Sequence, residues 1–131
     1  MKIDIYAHLM TQKTVDAFYK RVGNLEIMGM RPDMRSGAGP DTDMLSVDKR
    51  IEILNKYPGL VQVLIPTGQP LEWYASPEDT AYIAELYNDE LAEVVQKYPD
   101  KFVGAVACMP MNNLDAALKE DIQDNIKGLW N

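Results

Sequence analysis

The chain has 131 residues, 47% hydrophobic and 25% charged, which is the composition of a single globular domain and excludes a disordered segment. Its formal net charge of −7 excludes the basic surface by which proteins bind nucleic acid or anionic membranes. The single cysteine excludes an internal disulfide. A membrane helix needs about 20 consecutive apolar residues, and no stretch of the sequence approaches that length. We therefore expect a cytoplasmic protein with no nucleic-acid or membrane partner.

Strand and helix patterns alternate along the chain. Short, nearly continuous apolar runs indicate buried strands, and apolar residues at helical spacing indicate helices. The predicted strands are KIDIYAH (2–8), LVQVLIP (60–66) and FVGAVACMP (102–110), and the predicted helices are 14–22, 46–59, 76–100 and a last one from about Asn113. This order predicts βαβ units and an α/β fold with a parallel sheet whose strands are covered on both faces.

Local signals mark several boundaries. Ser46 and Ser76 are predicted N-caps, with Pro77 in the first helical position and Asp79 in the capping-box position. Pro58 and Gly59 are expected to end the second helix. In the third predicted strand, Cys108 is interpreted as a small buried side chain and not as a nucleophile.

Residues 23–45 are dense in glycine, proline and aspartate and are predicted to form a long loop after the first strand. The loop carries Asp33, Asp41 and Asp43, which could complete a metal site but are more typical of solvated turns. Arg31 and Arg35 of this loop could bind a substrate carboxylate bidentately, as could Arg50 of the following helix. Surface solvation is the favoured role for at least two of these three arginines.

Tyr6 and His8, the sole histidine, are the candidate metal ligands. Residues two apart in a strand project to one face, about 7 Å apart at the backbone. In parallel α/β sheets ligands bind at the carboxyl ends of the strands, where His8 lies. A histidine at a strand end is also commonly a structural, hydrogen-bonded residue, and a zinc site needs three or four ligands.

Several blocks, in the same order, resemble the amidohydrolase-related family that contains aminocarboxymuconate-semialdehyde decarboxylase. They are KIDIYAHLM, DKRIEILNKYPGLVQVLIPT and ASPEDTAYIAELYNDELAEVVQKYPDKFVGAVACMPMNNLDAALKE. The family signature for the first block is Ile-Asp-x-His-x-His, so His8 matches its second histidine and Tyr6 stands at the place of the first. The similarity covers most of residues 1–120.

The resemblance implies a metal-dependent (β/α)₈ TIM barrel, usually with zinc, that hydrolyses, hydrates or decarboxylates small carboxylated or aromatic substrates. It implies that His8 and Tyr6 hold a divalent metal. It also places Trp73 and Tyr74, after the second strand, against substrate, although an equally weighted interpretation makes them aromatic anchors of their loop. No residue matches the family's catalytic acid or base.

Three βα units cannot close an eight-stranded barrel. We therefore expect residues 1–131 to be one domain equivalent to the N-terminal portion of such a barrel, truncated and inactive alone, with a divergent tail at 121–131. Unpaired strand edges would then favour a homo-oligomer or a complementing chain. The alternative is a non-catalytic remnant or oligomerising interaction module in which His8 is structural.

Overall fold

The computed structural model describes residues 1–23, 42–68 and 70–123. Three strands and five α-helices follow one another along these residues, with a 3₁₀ turn at Leu71–Trp73. They are β1 (Lys2–His8), α1 (Gln12–Val22), α2 (Thr42–Leu45), α3 (Val47–Leu54), β2 (Leu60–Ile65), α4 (Pro77–Lys97), β3 (Phe102–Ala105) and α5 (Leu114–Gln123). The predicted α/β alternation is therefore confirmed.

The strands form one parallel sheet in the order β1-β2-β3. Both strand pairings contain an irregularity. In the first pairing, Asp4 stands opposite Gln62 and Ala7 opposite Leu64, so β1 advances three residues where β2 advances two. Such an extra residue is a β-bulge, which redirects the side chains that follow it.

Short polar side chains begin the helices as the sequence predicts. The Ser76 hydroxyl accepts a hydrogen bond from the Asp79 backbone N–H at 3.1 Å and donates to the Asp79 carboxylate at 2.8 Å. Arg21 of α1 contacts the same carboxylate at 2.8 Å, and these two hydrogen bonds lower the pKa of Asp79. Ser46 caps α3 in the predicted way. The Ser76 cap fixes the residue at which α4 begins.

The core forms on one face of the sheet. Each strand contributes a buried side chain to it, namely Ala7, Leu64 and Phe102, which are at most 2% exposed. Helices α1, α3 and α4 supply the other side of this core with the buried residues Val15, Phe18, Leu54, Ile83, Tyr87, Leu91 and Val94. Among the described residues, none of the helices combines the length and apolar character needed to cross a membrane.

The opposite face of the sheet is apolar and open. Ile3 and Ile5 of β1 are 50% and 72% exposed, and Val103 of β3 is 44% exposed. The prediction that the strands are covered on both faces is therefore wrong for the described part of the chain. The physical reason is that the helices of a right-handed βαβ series all cross on the same side of the sheet.

The third strand is shorter than predicted, because it ends at Ala105 and not at residue 110. Val106 makes one more backbone hydrogen bond to β2, and the chain then leaves the sheet. The side-chain amide of Asn88, from α4, replaces a strand partner: it accepts from the Cys108 N–H at 2.7 Å and donates to the Cys108 carbonyl at 3.0 Å. Cys108 thus packs against the core, as predicted, but outside a strand.

Helix α3 ends at Leu54, five residues before the predicted boundary. Beyond it the backbone tightens into three-residue turns, because Pro58 disfavours helical geometry at Tyr57. Tyr57 therefore lies beyond the helix and is 58% exposed. The predicted loop 23–45 ends in a short helix, α2, and its residues 24–41 lie outside the described residues.

Candidate functional site

Tyr6 and His8 lie side by side at the carboxyl end of β1. Their ring centroids are 4.8 Å apart, and the rings meet edge to face at an interplanar angle of 74°. Tyr6 is 73% exposed and His8 is partly buried, so the phenol faces solvent while the imidazole lies closer to the sheet. The structure therefore brings the two predicted ligands together.

One hydrogen bond fixes the tautomer of His8. Its Nδ1 lies 2.9 Å from the carbonyl oxygen of Pro66, the residue that follows β2. A carbonyl oxygen only accepts hydrogen bonds, so Nδ1 must carry the proton. In the neutral ring Nε2 then keeps its lone pair. This is the arrangement by which backbone carbonyls orient metal-binding histidines.

The pair fits a divalent metal as half of a coordination shell. A neutral imidazole and a phenol oxygen are competent donors, although the phenol must lose its proton to solvent or a base, which coordination to a strong Lewis acid would favour. Within residues 1–23, 42–68 and 70–123, no group of three or more His, Cys, Asp or Glu side chains is arranged to hold a metal ion. The described residues therefore supply two ligands, where a stable zinc site takes three or four.

A pocket of about 390 Å³ opens at the carboxyl ends of β2 and β3. It adjoins the half-site, because Pro66, whose carbonyl binds His8, forms part of its wall. Its lining is mostly apolar and sulfur-containing, and Glu72 is the one charged residue among the described lining residues. The pocket is lined by Pro66, Thr67, Gly68, Pro70, Leu71, Glu72, Tyr87, Ala107, Cys108, Met109 and Met111.

Two groups that line this pocket, the buried Tyr87 hydroxyl and the partly buried Cys108 thiol, are not ionised at neutral pH. The Tyr87 hydroxyl donates to the Leu9 carbonyl at 2.8 Å and accepts from the Thr67 N–H at 2.8 Å. Burial raises the pKa of Tyr87 well above its ordinary value, and burial also raises the pKa of the Cys108 thiol to about 11. A thiol with this pKa is a poor nucleophile, in agreement with the structural role predicted for Cys108.

The predicted substrate-binding residues lie beside the pocket and not in its wall. Trp73 is 67% exposed at the end of the 3₁₀ turn, and Tyr74 is partly buried against the core. Their ring centroids are 6.5 Å apart. Trp73 is therefore accessible to a ligand, whereas Tyr74 has the placement of a loop anchor.

Arg50 is buried beneath β1, with 8% of its surface exposed. Its Nη2 donates to the His8 carbonyl at 2.7 Å, and its Nη1 lies 3.4 Å from Oε1 of Gln62. Gln62 in turn donates to the Asp4 carboxylate at 2.9 Å. Asp4 and Gln62 were not predicted as site residues. Gln62 is the one polar residue of LVQVLI, and Asp4 stands between Ile3 and Ile5; these polar residues within apolar runs are the signal that would have found them.

The remaining predicted candidates lie in the loop. Arg31, Asp33, Arg35 and Asp41 lie outside the described residues, so the proposals about them remain predictions. Asp43 falls within α2, Thr42–Leu45, which begins just past the undescribed segment.

Comparison with curated proteins gives two relatives of the same name. A 2-amino-3-carboxymuconate-6-semialdehyde decarboxylase from Dictyostelium discoideum is 30% identical over 80 residues, which are 61% of this chain and 22% of the relative. The protein of that name from Caenorhabditis elegans is 27% identical over 128 residues, 90% of this chain and 31% of the relative. The chain thus spans less than a third of the length of either relative. No family model matches the sequence.

A solved structure is similar in fold. It is a dihydroxybenzoic acid decarboxylase from Polaromonas sp. JS666 with bound manganese and the inhibitor 2-nitroresorcinol. The superposition has a TM-score of 0.62 at 22% identity and covers 94% of this chain and 35% of that one. Together with the two relatives, it confirms the resemblance predicted from the sequence blocks.

Proposed function

We propose that this chain, which is similar to the aminocarboxymuconate-semialdehyde decarboxylases of the amidohydrolase-related family, forms part of a metal-dependent barrel. We propose that this barrel decarboxylates small carboxylated or aromatic substrates. The observation that carries the proposal is the Tyr6–His8 pair: the hydrogen bond from His8 Nδ1 to the Pro66 carbonyl leaves the lone pair on Nε2, and Pro66 is also part of the pocket wall. Tyr6 and His8 are the proposed metal ligands.

The pocket favours an aromatic or unsaturated substrate. Pro66, Leu71 and Met109 in its wall can contact the face or edge of a flat ring, while Glu72 disfavours a carboxylate at its own end of the pocket. A substrate carboxylate would therefore point toward the Tyr6–His8 side. Trp73 would cover the substrate from the exposed rim.

A divalent metal would supply positive charge that polarises substrate oxygens at this edge of the sheet. Zinc is the metal implied by the sequence resemblance, and manganese is the metal present in the structurally similar decarboxylase. The chain's own contribution is to orient His8 through Pro66 and to present Tyr6 beside it. The additional ligands and the acid or base would come from residues that the described part of the chain does not include. We propose that the 131 residues alone do not turn over substrate.

The open sheet face supports the second part of the proposal. Ile3 and Ile5 of β1 and Val103 of β3 are exposed apolar residues on this face, of the kind that marks an interface. We propose that further βα units cover it, supplied by a second copy or by a complementing chain, and that the incomplete sheet is thereby extended toward a barrel. A non-catalytic interaction module is the second candidate function, because this surface is present whether or not His8 binds a metal.

Metal titration tests the proposed function. Isothermal titration of the purified chain with Zn²⁺ and Mn²⁺ should show binding that is lost in His8→Ala and weakened about tenfold or more in Tyr6→Phe. Tyr57→Phe is the matched control, because Tyr57 is also exposed but lies beyond α3. Absence of binding in the unmodified chain, or equal binding in His8→Ala, would leave the interaction module as the better function.

Light scattering after size exclusion separates the two candidates further. If the open face is an interface, the mass should exceed that of one chain, and Ile5→Asp should return it to the monomer. A monomer at all concentrations would contradict the assembly proposed here.

A further inference from the structure

The bulge in β1 determines how the Tyr6–His8 pair is presented. Ile5 and Tyr6 together occupy the space opposite Val63, between the pairs Asp4–Gln62 and Ala7–Leu64. Within the bulged segment, the Tyr6 N–H donates to the Asp4 carboxylate at 3.0 Å. The bulge is therefore stabilised by a side chain of the strand that contains it.

Four hydrogen bonds connect the two ends of the pair through side chains alone. The first runs from the Tyr6 N–H to Asp4, and the second from Gln62 to the other oxygen of Asp4 at 2.9 Å. The third runs from Arg50 to Gln62 at 3.4 Å, and the fourth from Arg50 to the His8 carbonyl at 2.7 Å. The network begins at the backbone of one proposed ligand and ends at the backbone of the other.

We propose that Asp4, Gln62 and Arg50 are positioning residues that hold the β1 bulge and so set the spacing of Tyr6 and His8. This inference rests on the proposed metal half-site for its functional meaning. It assigns Arg50 to the placement of ligands, an alternative to the substrate-binding role expected from the sequence.

Burial explains why the network controls geometry. Arg50 and Gln62 are 8% and 6% exposed, so their polar groups cannot exchange protein partners for water without cost. Asp4 supplies the negative charge at one end and Arg50 the positive charge at the other, with the Gln62 amide oriented between them. A shift of β1 by one residue would break all four contacts and turn every side chain to the other face.

The substitution Gln62→Met tests the inference, because methionine has a similar length and no hydrogen-bonding amide. Thr80→Val is the matched control: Thr80 is also fully buried and polar, and it lies on α4 at a distance from the bulge, where its hydroxyl contacts the Ala75 carbonyl. Both variants lose one buried polar group without a change in size. Chemical denaturation measures the stability that each variant loses, so that the two are compared under conditions in which both are folded.

Two readouts distinguish positioning from mere stabilisation. The first is the nuclear Overhauser effect between the Tyr6 and His8 rings, which the 4.8 Å centroid separation should make visible without metal. The second is the affinity for Zn²⁺ and the absorption spectrum of bound Co²⁺. Gln62→Met should abolish the ring contact and weaken metal binding about tenfold or more, whereas Thr80→Val should change neither.

The outcomes separate this inference from the proposed function. A ring contact and metal affinity that survive Gln62→Met, or that fall equally in Thr80→Val, would overturn the positioning role. A chain that binds no metal, but whose ring contact is lost only in Gln62→Met, would support the positioning role while rejecting the proposed function.

Discussion

The two faces of the sheet are built from the same strands but meet different surroundings. On the helical face, Phe102 and Leu64 are completely buried, and helix α4 contributes most of the residues around them. On the open face, the neighbouring Val103 is 44% exposed and Ile5 is 72% exposed. Both faces are apolar, but only the side chains on the helical face are removed from water within the chain. The hydrophobic contribution to the free energy of folding therefore comes mainly from that face.

The largest expected difference is between adjacent residues of β3. Phe102→Ala should lower the free energy of unfolding by about 3–5 kcal/mol, because it creates a cavity in the helical core. Val103→Thr should change it by less than about 0.5 kcal/mol, since its side chain already contacts water. Urea denaturation measures both, and Phe102→Leu provides a milder variant if the alanine variant is unfolded.

Protein concentration makes this comparison sharper. If the open face is covered by a partner in solution, the cost of Val103→Thr should rise with concentration, because assembly stabilises the folded state by mass action. A large and concentration-independent cost of Val103→Thr would show instead that the face is buried within one chain.

A smaller effect is expected where a buried hydroxyl joins two loops on the helical face. Tyr87→Phe removes the partner of both the Leu9 carbonyl and the Thr67 N–H, and should cost about 1–3 kcal/mol. Tyr82→Phe on the same helix should be nearly neutral, since Tyr82 is 43% exposed and its ring contact with Arg21 survives the change. Equal stabilities of the two variants in thermal or urea unfolding would contradict this assignment.

The smallest predicted effect is a pH dependence due to Cys108. The thiol has a pKa of about 11 in the folded chain, against an ordinary value of 9.0, because burial disfavours the thiolate. Between pH 9 and 11 the unfolded chain therefore binds fewer protons, and stability should fall as the pH rises, by about 1 kcal/mol at pH 10. The measurement is the difference between the unmodified chain and Cys108→Ala, whose stability should lack this component. Parallel pH profiles of the two proteins would show that Cys108 is not buried in solution.

The order of strands and helices was predictable because it depends on local patterns. The start of α4 is predicted by three residues within a span of four, Ser76, Pro77 and Asp79. The structure contains the capping contacts that they predict. That Tyr6 and His8 project to the same face was predictable for the same reason, since residues two apart in a strand share a face, whereas the bulge that sets their contact was not.

Other features depend on residues far apart in the sequence. The end of β3 is set by Asn88, 20 residues from Cys108, and nothing in the local composition of 102–110 indicates it. The bulge depends on the pairing of Asp4 with Gln62 across 58 residues. Arg50 is likewise buried because α3, the helix that contains it, packs so that its side chain reaches the His8 carbonyl of β1. Sequence periodicity does not specify this packing.

The Asn88 contact has a consequence for how the pocket could diversify. This helical amide binds both the N–H and the carbonyl of Cys108, which lies in the wall of the pocket. The wall of the pocket at Cys108 is thus held in place from α4. Met109 and Met111 line the pocket outside the buried core, so a change in their size or polarity would alter the ligands that fit without remodelling the scaffold.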